Sequence, residues 1–222
     1  MLTKFLQPTY EKSINQKFRE KRFAFFKGLL QTLPQDKTIQ ILDIGGTESY
    51  WNRMKFVNNE HVHITLLNLY KVEVSYPNFT SVVGDACCLS EFRDGQFDIV
   101  FSNSVIEHLF TKENQKKMAD EVRRVGKNYY VQTPNYYFPI EPHWLFPFFQ
   151  FLPFRVKVEM TKSFNLGNYP KAPDEEMAVQ RVNEVKLLTE KEMKELFPGG
   201  KVYLEKFLGL TKSITMYHFS TS

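Results

Sequence analysis

Asp43, Gly45 and Gly46 close an apolar run that begins at Ile39, and their types suggest a binding site. Glycine has no β-carbon, so the pair lets the backbone come close to a ligand. The pattern is neither Gly-x-Gly-x-x-Gly nor followed by Lys-Ser or Lys-Thr, which excludes a P-loop and weakens a dinucleotide site. The carboxylate of Asp43 favours a cationic ligand. In an alternative interpretation, Asp43 only caps the turn.

Polar or small side chains also follow the later apolar runs. If these runs are strands of a mainly parallel sheet, their carboxyl ends lie at one edge, where such sheets bind ligands. We therefore expect these residues to surround the same site as Asp43. They are Asn68, Asp85, Ala86, Ser102, Asn103, Ser104, Thr133, Pro134 and Asn135.

Two histidines have neighbours suited to acid–base chemistry. His143 follows Glu141 among prolines and aromatic residues and could act as a general base near pH 7; alternatively, it packs beneath an aromatic core. His108 follows Glu107. A single Glu-His pair offers too few ligands for a magnesium ion, so we predict no metal site and expect local hydrogen bonding instead.

The elements that would position these residues alternate between strands and helices. Apolar and β-branched runs predict strands, apolar residues at helical spacing predict helices, and glycine and proline mark the breaks. This alternation predicts an α/β fold with a doubly wound, mostly parallel sheet, and the last two strands predict an antiparallel edge hairpin at the C-terminus. The predicted strands are residues 39–44, 62–69, 79–84, 97–101, 129–131, 202–208 and 213–219, and the predicted helices are residues 10–33, 49–57, 112–125 and 189–197.

Residues 134–173 interrupt the alternation. They are rich in proline and lack clear periodicity, which is typical of a long lid or substrate-binding loop. Six of the 21 phenylalanines fall between Phe138 and Phe154. A lid of this composition suits an apolar, aromatic or sugar-like ligand.

Composition and charge limit the class of protein. The chain has 222 residues, of which 42% are hydrophobic and 24% charged, so we predict one globular domain rather than a disordered or coiled-coil chain. The net charge of +4 is too small to indicate a nucleic-acid binder. In the basic stretch 12–27 and just beyond it, apolar residues recur at helical spacing, which favours a surface helix with a solvated charged face over a membrane-surface helix. These apolar residues are Ile14, Phe18, Phe25 and Leu29.

The cysteines and the apolar segments indicate in which cellular compartment the protein resides. Cys87 and Cys88 are adjacent, so a disulfide between them would be strained, and free thiols favour a reducing compartment. The most apolar segment, residues 144–154, is too short to span a bilayer and contains two prolines. We therefore expect a cytoplasmic protein without a transmembrane segment.

Three motifs and the C-terminal hairpin resemble one family. Residues 41–46 are similar to the first motif of class I S-adenosylmethionine-dependent methyltransferases, and residues 83–86 are similar to their adenine-binding motif. Residues 97–109 resemble the fourth-strand motif of the broad type 11 group. The resemblance covers residues 37–135 well and residues 185–219 in outline. It implies a Rossmann-like fold and S-adenosylmethionine as the cofactor.

The resemblance implies a role for each matching residue. Gly45 and Gly46 would pass beneath the methionine part of the cofactor, and Asp43 would orient its amino group. Asn68 stands where the family usually has the Asp or Glu that binds the ribose hydroxyls. An Asn side chain both donates and accepts hydrogen bonds, so the role can survive.

The remaining matches concern the adenine and the floor of the site. Asp85 would accept a hydrogen bond from the adenine amine, with the backbone of Ala86 nearby. Ser102 and Asn103 would line the floor. The first loop lacks the further glycines of the family pattern, and Glu48 would add a carboxylate near the sulfonium.

The implied function is methyl transfer to a small-molecule or glycan acceptor, at a hydroxyl rather than an amine, with no nucleic-acid substrate. The predicted domain comprises residues 1–222: an N-terminal helix (10–33), a cofactor-binding core (37–134), a lid or substrate insertion (135–173), and a C-terminal helix and hairpin (185–219). Two other functions remain open. One is a non-catalytic S-adenosylmethionine-binding protein of the same fold. The other is a nicotinamide-dependent oxidoreductase, against which the missing Tyr-x-x-x-Lys pair argues.

Overall fold

The computed structural model describes residues 14–220 of the chain. Seven strands of this part form one sheet: β1 (Ile39–Ile44), β2 (Val62–Asn68), β3 (Phe79–Val83), β4 (Phe97–Asn103), β5 (Gly126–Pro134), β8 (Lys201–Phe207) and β9 (Leu210–His218). A separate small hairpin consists of β6 (Ile140–Glu141) and β7 (Phe146–Pro147). The helices are α1 (Ile14–Leu30), α2 (Glu48–Arg53), α3 (Lys112–Val125), α4 (Phe154–Ser163), α5 (Glu175–Glu184) and α6 (Glu190–Leu196).

The order of strands in the sheet confirms the predicted architecture. It is β3-β2-β1-β4-β5-β9-β8, in which β1 to β5 are parallel and β9 is antiparallel to both of its neighbours. The chain order reverses between β1 and β4. In open α/β sheets such a reversal leaves a crevice at the carboxyl ends of the two strands.

Alternate residues of the central strands pack on opposite faces of the sheet. Ile39 and Ile41 of β1 belong to the apolar cluster that includes α1 and α2, whereas Leu42 and Ile44 belong to the cluster that includes α3 and α6. Burial on both faces explains why these strands are nearly continuous apolar runs. The α1 side is rich in aromatic residues, and seven of the 21 phenylalanines pack there.

Helix α1 buries a different face from the one predicted. Phe23, Phe26 and Leu30 are buried, while Phe25 and Leu29 are only half-buried. Residues 10–13 of the predicted helix lie outside the described residues. Arg22, on the basic face of the helix, is buried and forms an ion pair with Glu205. The prediction of a solvated charged face is therefore wrong for this part of the helix.

The insertion after β5 contains regular structure that its sequence did not indicate. It holds the β6–β7 hairpin and α4, and α5 follows it. Trp144 and Phe149 stack with ring centroids 4.5 Å apart and form a core with Val158 and the buried residues of α5. Pro153 is compatible with this arrangement because it lies immediately before the first turn of α4. Most other phenylalanines of the insertion are exposed.

The predicted side-chain caps at the N-termini of α3 and α6 are confirmed. The hydroxyl of Thr111 accepts a hydrogen bond from the Asn114 backbone, and Thr189 forms a capping box with Glu192.

No helix among residues 14–220 has both the length and the apolar character needed to cross a membrane.

A buried ion pair joins α1 to β8. The guanidinium of Arg22 lies 2.8 Å from the carboxylate of Glu205, and only 9% and 1% of these residues are exposed. We expect Glu205→Gln to lower the free energy of unfolding by about 3 kcal/mol, because it leaves a buried charge unpaired. Urea denaturation measures this loss. As a control, Lys194→Gln breaks an exposed pair with Glu190 and should cost less than about 0.5 kcal/mol. Equal effects of the two substitutions would contradict the prediction.

Candidate functional site

A cavity of about 390 Å³ opens at the carboxyl ends of β1 and β4. Its floor includes residues 43–47, in the turn between β1 and α2, together with Asn103 at the end of β4. Its walls come from α1, α2, the insertion and the β8–β9 hairpin. The cavity therefore occupies the crevice that the strand order creates.

Asp43 is almost fully buried at the base of this turn, with 1% of its surface exposed. The indole N–H of Trp51 donates a hydrogen bond to Asp43 Oδ2 at 2.7 Å. Burial raises the pKa of the Asp43 carboxyl to about 7, although the Trp51 hydrogen bond opposes this rise. No cationic side chain among residues 14–220 pairs with Asp43. A bound cation would therefore favour the ionised carboxylate.

Both glycines are required by the packing of this turn. Gly45 has φ +70°, a left-handed conformation that side chains disfavour, and a β-carbon there would lie 2.6 Å from Val105. At Gly46 a β-carbon would lie 1.7 Å from Oδ2 of Asp43. The carboxylate thus fills the space that a side chain at position 46 would need.

Two further contacts hold the turn in place. The side-chain amide of Asn68 donates to the backbone carbonyl of Gly46 at 2.9 Å, which ties the end of β2 to the turn. Glu48 accepts hydrogen bonds from the backbone amides of Ser75 and Tyr76 and so anchors the connection between β2 and β3. Glu48 does not line the cavity, contrary to the expectation that its carboxylate would lie near a bound sulfonium.

The structure brings only part of the expected cofactor site into this cavity. Asp43, Gly45, Gly46 and Asn103 line it, whereas Asn68, Asp85, Ala86 and Ser102 do not. Asp85 is exposed after β3 and accepts a hydrogen bond from the backbone of Cys87 at 2.8 Å. Ser102 is fully buried, and its hydroxyl has no partner among the described residues.

The two candidate histidines meet although they are far apart in the sequence. Nε2 of His143 lies 3.1 Å from Nε2 of His108. On its other side, Nδ1 of His143 lies 2.6 Å from the carboxylate of Glu141, which also accepts hydrogen bonds from the backbone amides of His143 and Trp144. Neither ring lines the cavity, but Pro142 and Ser104 do. The pair therefore lies close to the cavity wall.

The surroundings of the two rings separate their pKa values. Burial lowers the pKa of His143, but the hydrogen bond and charge of Glu141, with the charge of Glu107, outweigh it and raise the pKa above the usual value. Burial and the neighbouring His143 lower the pKa of His108 to about 4. At neutral pH His108 is thus neutral, and it can accept a hydrogen bond from a protonated His143.

Glu107 completes the cluster from the turn after β4. Its side chain is fully buried, and the hydroxyl of Thr133 donates to Glu107 Oε2 at 3.0 Å. Burial raises the pKa of Glu107 to about 7, while the nearby His143 opposes the rise. The other carboxylate oxygen, Oε1, has no hydrogen-bond partner among the described residues. Such a group is costly to bury as an anion, which explains its raised pKa.

The cluster also corrects the reasoning that led us to expect no metal. That expectation counted only the adjacent Glu107 and His108 as ligands. His143 adds a third, and one ligand atom from each of these residues lies within 4.8 Å of the others. Glu141 holds His143 in the way that second carboxylates orient metal-binding histidines. The number of ligands therefore no longer argues against a cation.

Several residues of the cavity were not found from the sequence. Arg19 and Arg22 of α1, Arg53 of α2 and Lys212 of β9 line its walls. The available signal was the basic stretch of α1, which we assigned to solvent because spacing alone does not show which groove a helix face meets. The contribution of β9 required the three-dimensional arrangement of the sheet.

We expect Gly46→Ala to destabilise the protein by about 3 kcal/mol, because the added methyl group collides with the buried Asp43 carboxylate. Gly28→Ala is the matched control, since nothing lies within 4 Å of a β-carbon there and alanine favours a helix. It should leave stability unchanged or raise it by up to about 1 kcal/mol. Urea denaturation of both variants checks this difference. Equal stabilities would contradict the packing described here.

Comparison with known proteins relates part of the chain to a methyltransferase domain. Residues 45–129 match the methyltransferase domain model of the type 11 group. Uncharacterized proteins from two strains of Mycobacterium tuberculosis are 39% identical over 64 residues. That stretch is 28% of this chain, and it is only 22% of the length of each relative.

Solved structures share the fold over most of the chain. A methyltransferase dependent on S-adenosylmethionine from Methanosarcina mazei has a TM-score of 0.51 at 17% identity, over 85% of this chain and 94% of that chain. The CurJ carbon methyltransferase has a TM-score of 0.56 at 11% identity, over 97% of this chain and 56% of that chain. The family match at residues 45–129 thus covers less than half of the chain, and at these identities the solved structures show that the chain shares the fold of S-adenosylmethionine-dependent methyltransferases.

Proposed function

We propose that the protein transfers a methyl group from S-adenosylmethionine to a hydroxyl group of a small-molecule or glycan acceptor. The observation that carries the proposal is the cavity at the ends of β1 and β4, which unites Asp43, Gly45, Gly46 and Asn103. A buried carboxylate without a cationic partner in residues 14–220 suits the amino group of a cofactor of this kind. The bound cofactor supplies an electrophilic methyl group.

In this proposal two groups of residues bind the two parts of the cofactor. Asp43, Gly45, Gly46 and Asn103 hold the methionine part. Asn68, Asp85 and Ala86 lie toward the adenosine part, and Ser102 supports the floor from within β4. Asn68 ends β2, and Asp85 and Ala86 follow β3. The sheet order β3-β2-β1 places β2 beside β1 and β3 beyond β2, so one extended ligand along this edge reaches both regions.

The histidine cluster provides for removal of the proton from the acceptor hydroxyl. His143 accepts the proton, Glu141 orients and charge-stabilises its ring, and His108 and Glu107 complete the surroundings. Support comes from Glu141, which lies at Nδ1 and raises the pKa of His143. In neutral His143, Nδ1–H faces Glu141, and Nε2 takes the proton in place of its contact with His108. Hydrogen bonds to a substrate often form only in its complex, so rings just outside the cavity wall remain suitable. No metal ion takes part in this proposal.

Calorimetric titration with S-adenosylmethionine and S-adenosylhomocysteine tests the function directly. We expect both to bind in the micromolar range, and no binding at high micromolar concentration would contradict the proposal. A panel of phenolic and sugar hydroxyl acceptors then tests turnover. His143→Ala should lower turnover at least about 100-fold without changing cofactor affinity, and EDTA should have no effect. Binding without turnover would favour a non-catalytic protein instead.

The affinity for S-adenosylhomocysteine should rise about tenfold between pH 6 and pH 8. The reason is that only ionised Asp43 pairs with the ligand's amino group, and its pKa of about 7 leaves most of it protonated at pH 6. Calorimetry at both pH values measures the change. Asp43→Asn should bind more weakly and show no such pH dependence. Equal wild-type affinity at the two pH values would contradict this role for Asp43.

His143 should titrate above its ordinary pKa of 6.5, and His108 near 4, in NMR spectra of the ring protons. Glu141→Gln should lower the pKa of His143, because it removes the negative charge beside Nδ1. Glu159→Gln, at an exposed position on α4 of the same insertion, is the control and should leave it unchanged. A His143 that titrates below 6.5, or that ignores Glu141→Gln, would exclude the proposed pairing.

A further inference from the structure

Four cationic side chains near one another line the cavity. Arg19 and Arg22 reach it from α1, Arg53 from the end of α2, and Lys212 from β9. Burial lowers the pKa of Lys212 to about 8, so this side chain remains mostly charged at neutral pH. Four cationic side chains therefore line a single cavity of about 390 Å³.

Few negative charges compensate these side chains. Glu205 neutralises Arg22 through the ion pair already described. Within residues 14–220, neither Arg19 nor Arg53 has a carboxylate at ion-pair distance. Burial, followed by the positive charges of Arg22 and Arg53, lowers the pKa of Arg19, so the three guanidinium groups repel one another.

The cofactor does not remove this excess. Asp43 and Glu205 are the acidic residues of the described cavity lining, against four cationic ones. S-adenosylmethionine brings a sulfonium, an ammonium and one carboxylate, and so adds a further positive charge. A partly desolvated site with such an imbalance favours a second ligand that is anionic, because charges interact more strongly away from bulk water.

We propose that the methyl acceptor is an anion whose carboxylate or phosphate group is bound by Arg19 and Arg53. The inference rests on the proposed methyltransferase function and names the substrate class. Guanidinium groups bind both oxyanions through paired, charge-assisted hydrogen bonds. Phe18, Phe101 and Phe138 line the same cavity, so the body of the acceptor is aromatic or otherwise apolar.

The same arginines could instead bind the carboxylate of the cofactor, so the experiment must separate the two sources. It uses the full chain saturated with S-adenosylhomocysteine, whose own carboxylate then occupies its place. Calorimetry at constant ionic strength compares benzoate and phenyl phosphate with neutral benzyl alcohol. We expect saturable binding of at least one anion and at least tenfold weaker binding of the alcohol.

Arginine variants locate the binding group. Arg19→Gln and Arg53→Gln should each weaken binding of the anionic probe about tenfold or more, as expected for loss of a charge-assisted hydrogen bond. Arg93→Gln is the control, because Arg93 is exposed and does not line the cavity. It changes the net charge equally and should leave the affinity unchanged.

The other outcomes overturn the inference in distinguishable ways. Loss of S-adenosylhomocysteine affinity in both arginine variants, with unchanged affinity for 5′-methylthioadenosine and for the anions, would assign the arginines to the cofactor carboxylate. If the wild-type protein saturated with S-adenosylhomocysteine binds no anion, the anionic acceptor is excluded, but the proposed methyltransferase function is not. Failure of the wild type to bind S-adenosylhomocysteine would instead contradict the proposed function itself.

Discussion

The buried carboxylate of Asp43 determines the shape of the turn around which the cavity is built. It occupies the volume above Gly46, takes the indole hydrogen bond of Trp51 and thereby fixes α2 against the end of β1. Asn68 then secures the carbonyl of Gly46 from the neighbouring strand. A carboxylate in this position is costly to ionise, and the raised pKa of Asp43 expresses that cost. In the proposed function a cationic ligand offsets this cost, which would link the packing of the turn to the binding of the cofactor.

A second charged arrangement lies within the insertion. The carboxylate of Glu141 accepts hydrogen bonds from two backbone amides and lies beside the ring of His143. It therefore fixes the backbone of this part of the insertion and favours the protonated form of the ring. The core of Trp144 and Phe149 holds this region against α4 and α5. The insertion is therefore a structured unit that carries a histidine to the end of β4, rather than an irregular loop.

Much of the sheet and part of the site could be predicted from the sequence for physical reasons. Strands buried on both faces need continuous apolar runs, and the residues after them must meet at one edge, so Asp43 and Asn103 were found. The contact between His108 and His143 joins positions 35 residues apart and depends on the path of the insertion. Helices α4 and α5 were not predicted, because each has only ten residues and its apolar pattern is weak. The inward direction of Arg19 and Arg22 depends on how α1 packs against β8, which spacing within one helix does not specify.

The central claim is that one cavity holds the methionine part of the cofactor on Asp43 and presents a cationic wall to the acceptor. A crystal structure of the complex with S-adenosylhomocysteine tests it most directly. The account predicts the amino group within hydrogen-bond distance of Asp43, with Arg19 and Arg53 bordering the open space beyond the sulfur. A ligand bound elsewhere, or one whose amino group points away from Asp43, would contradict it.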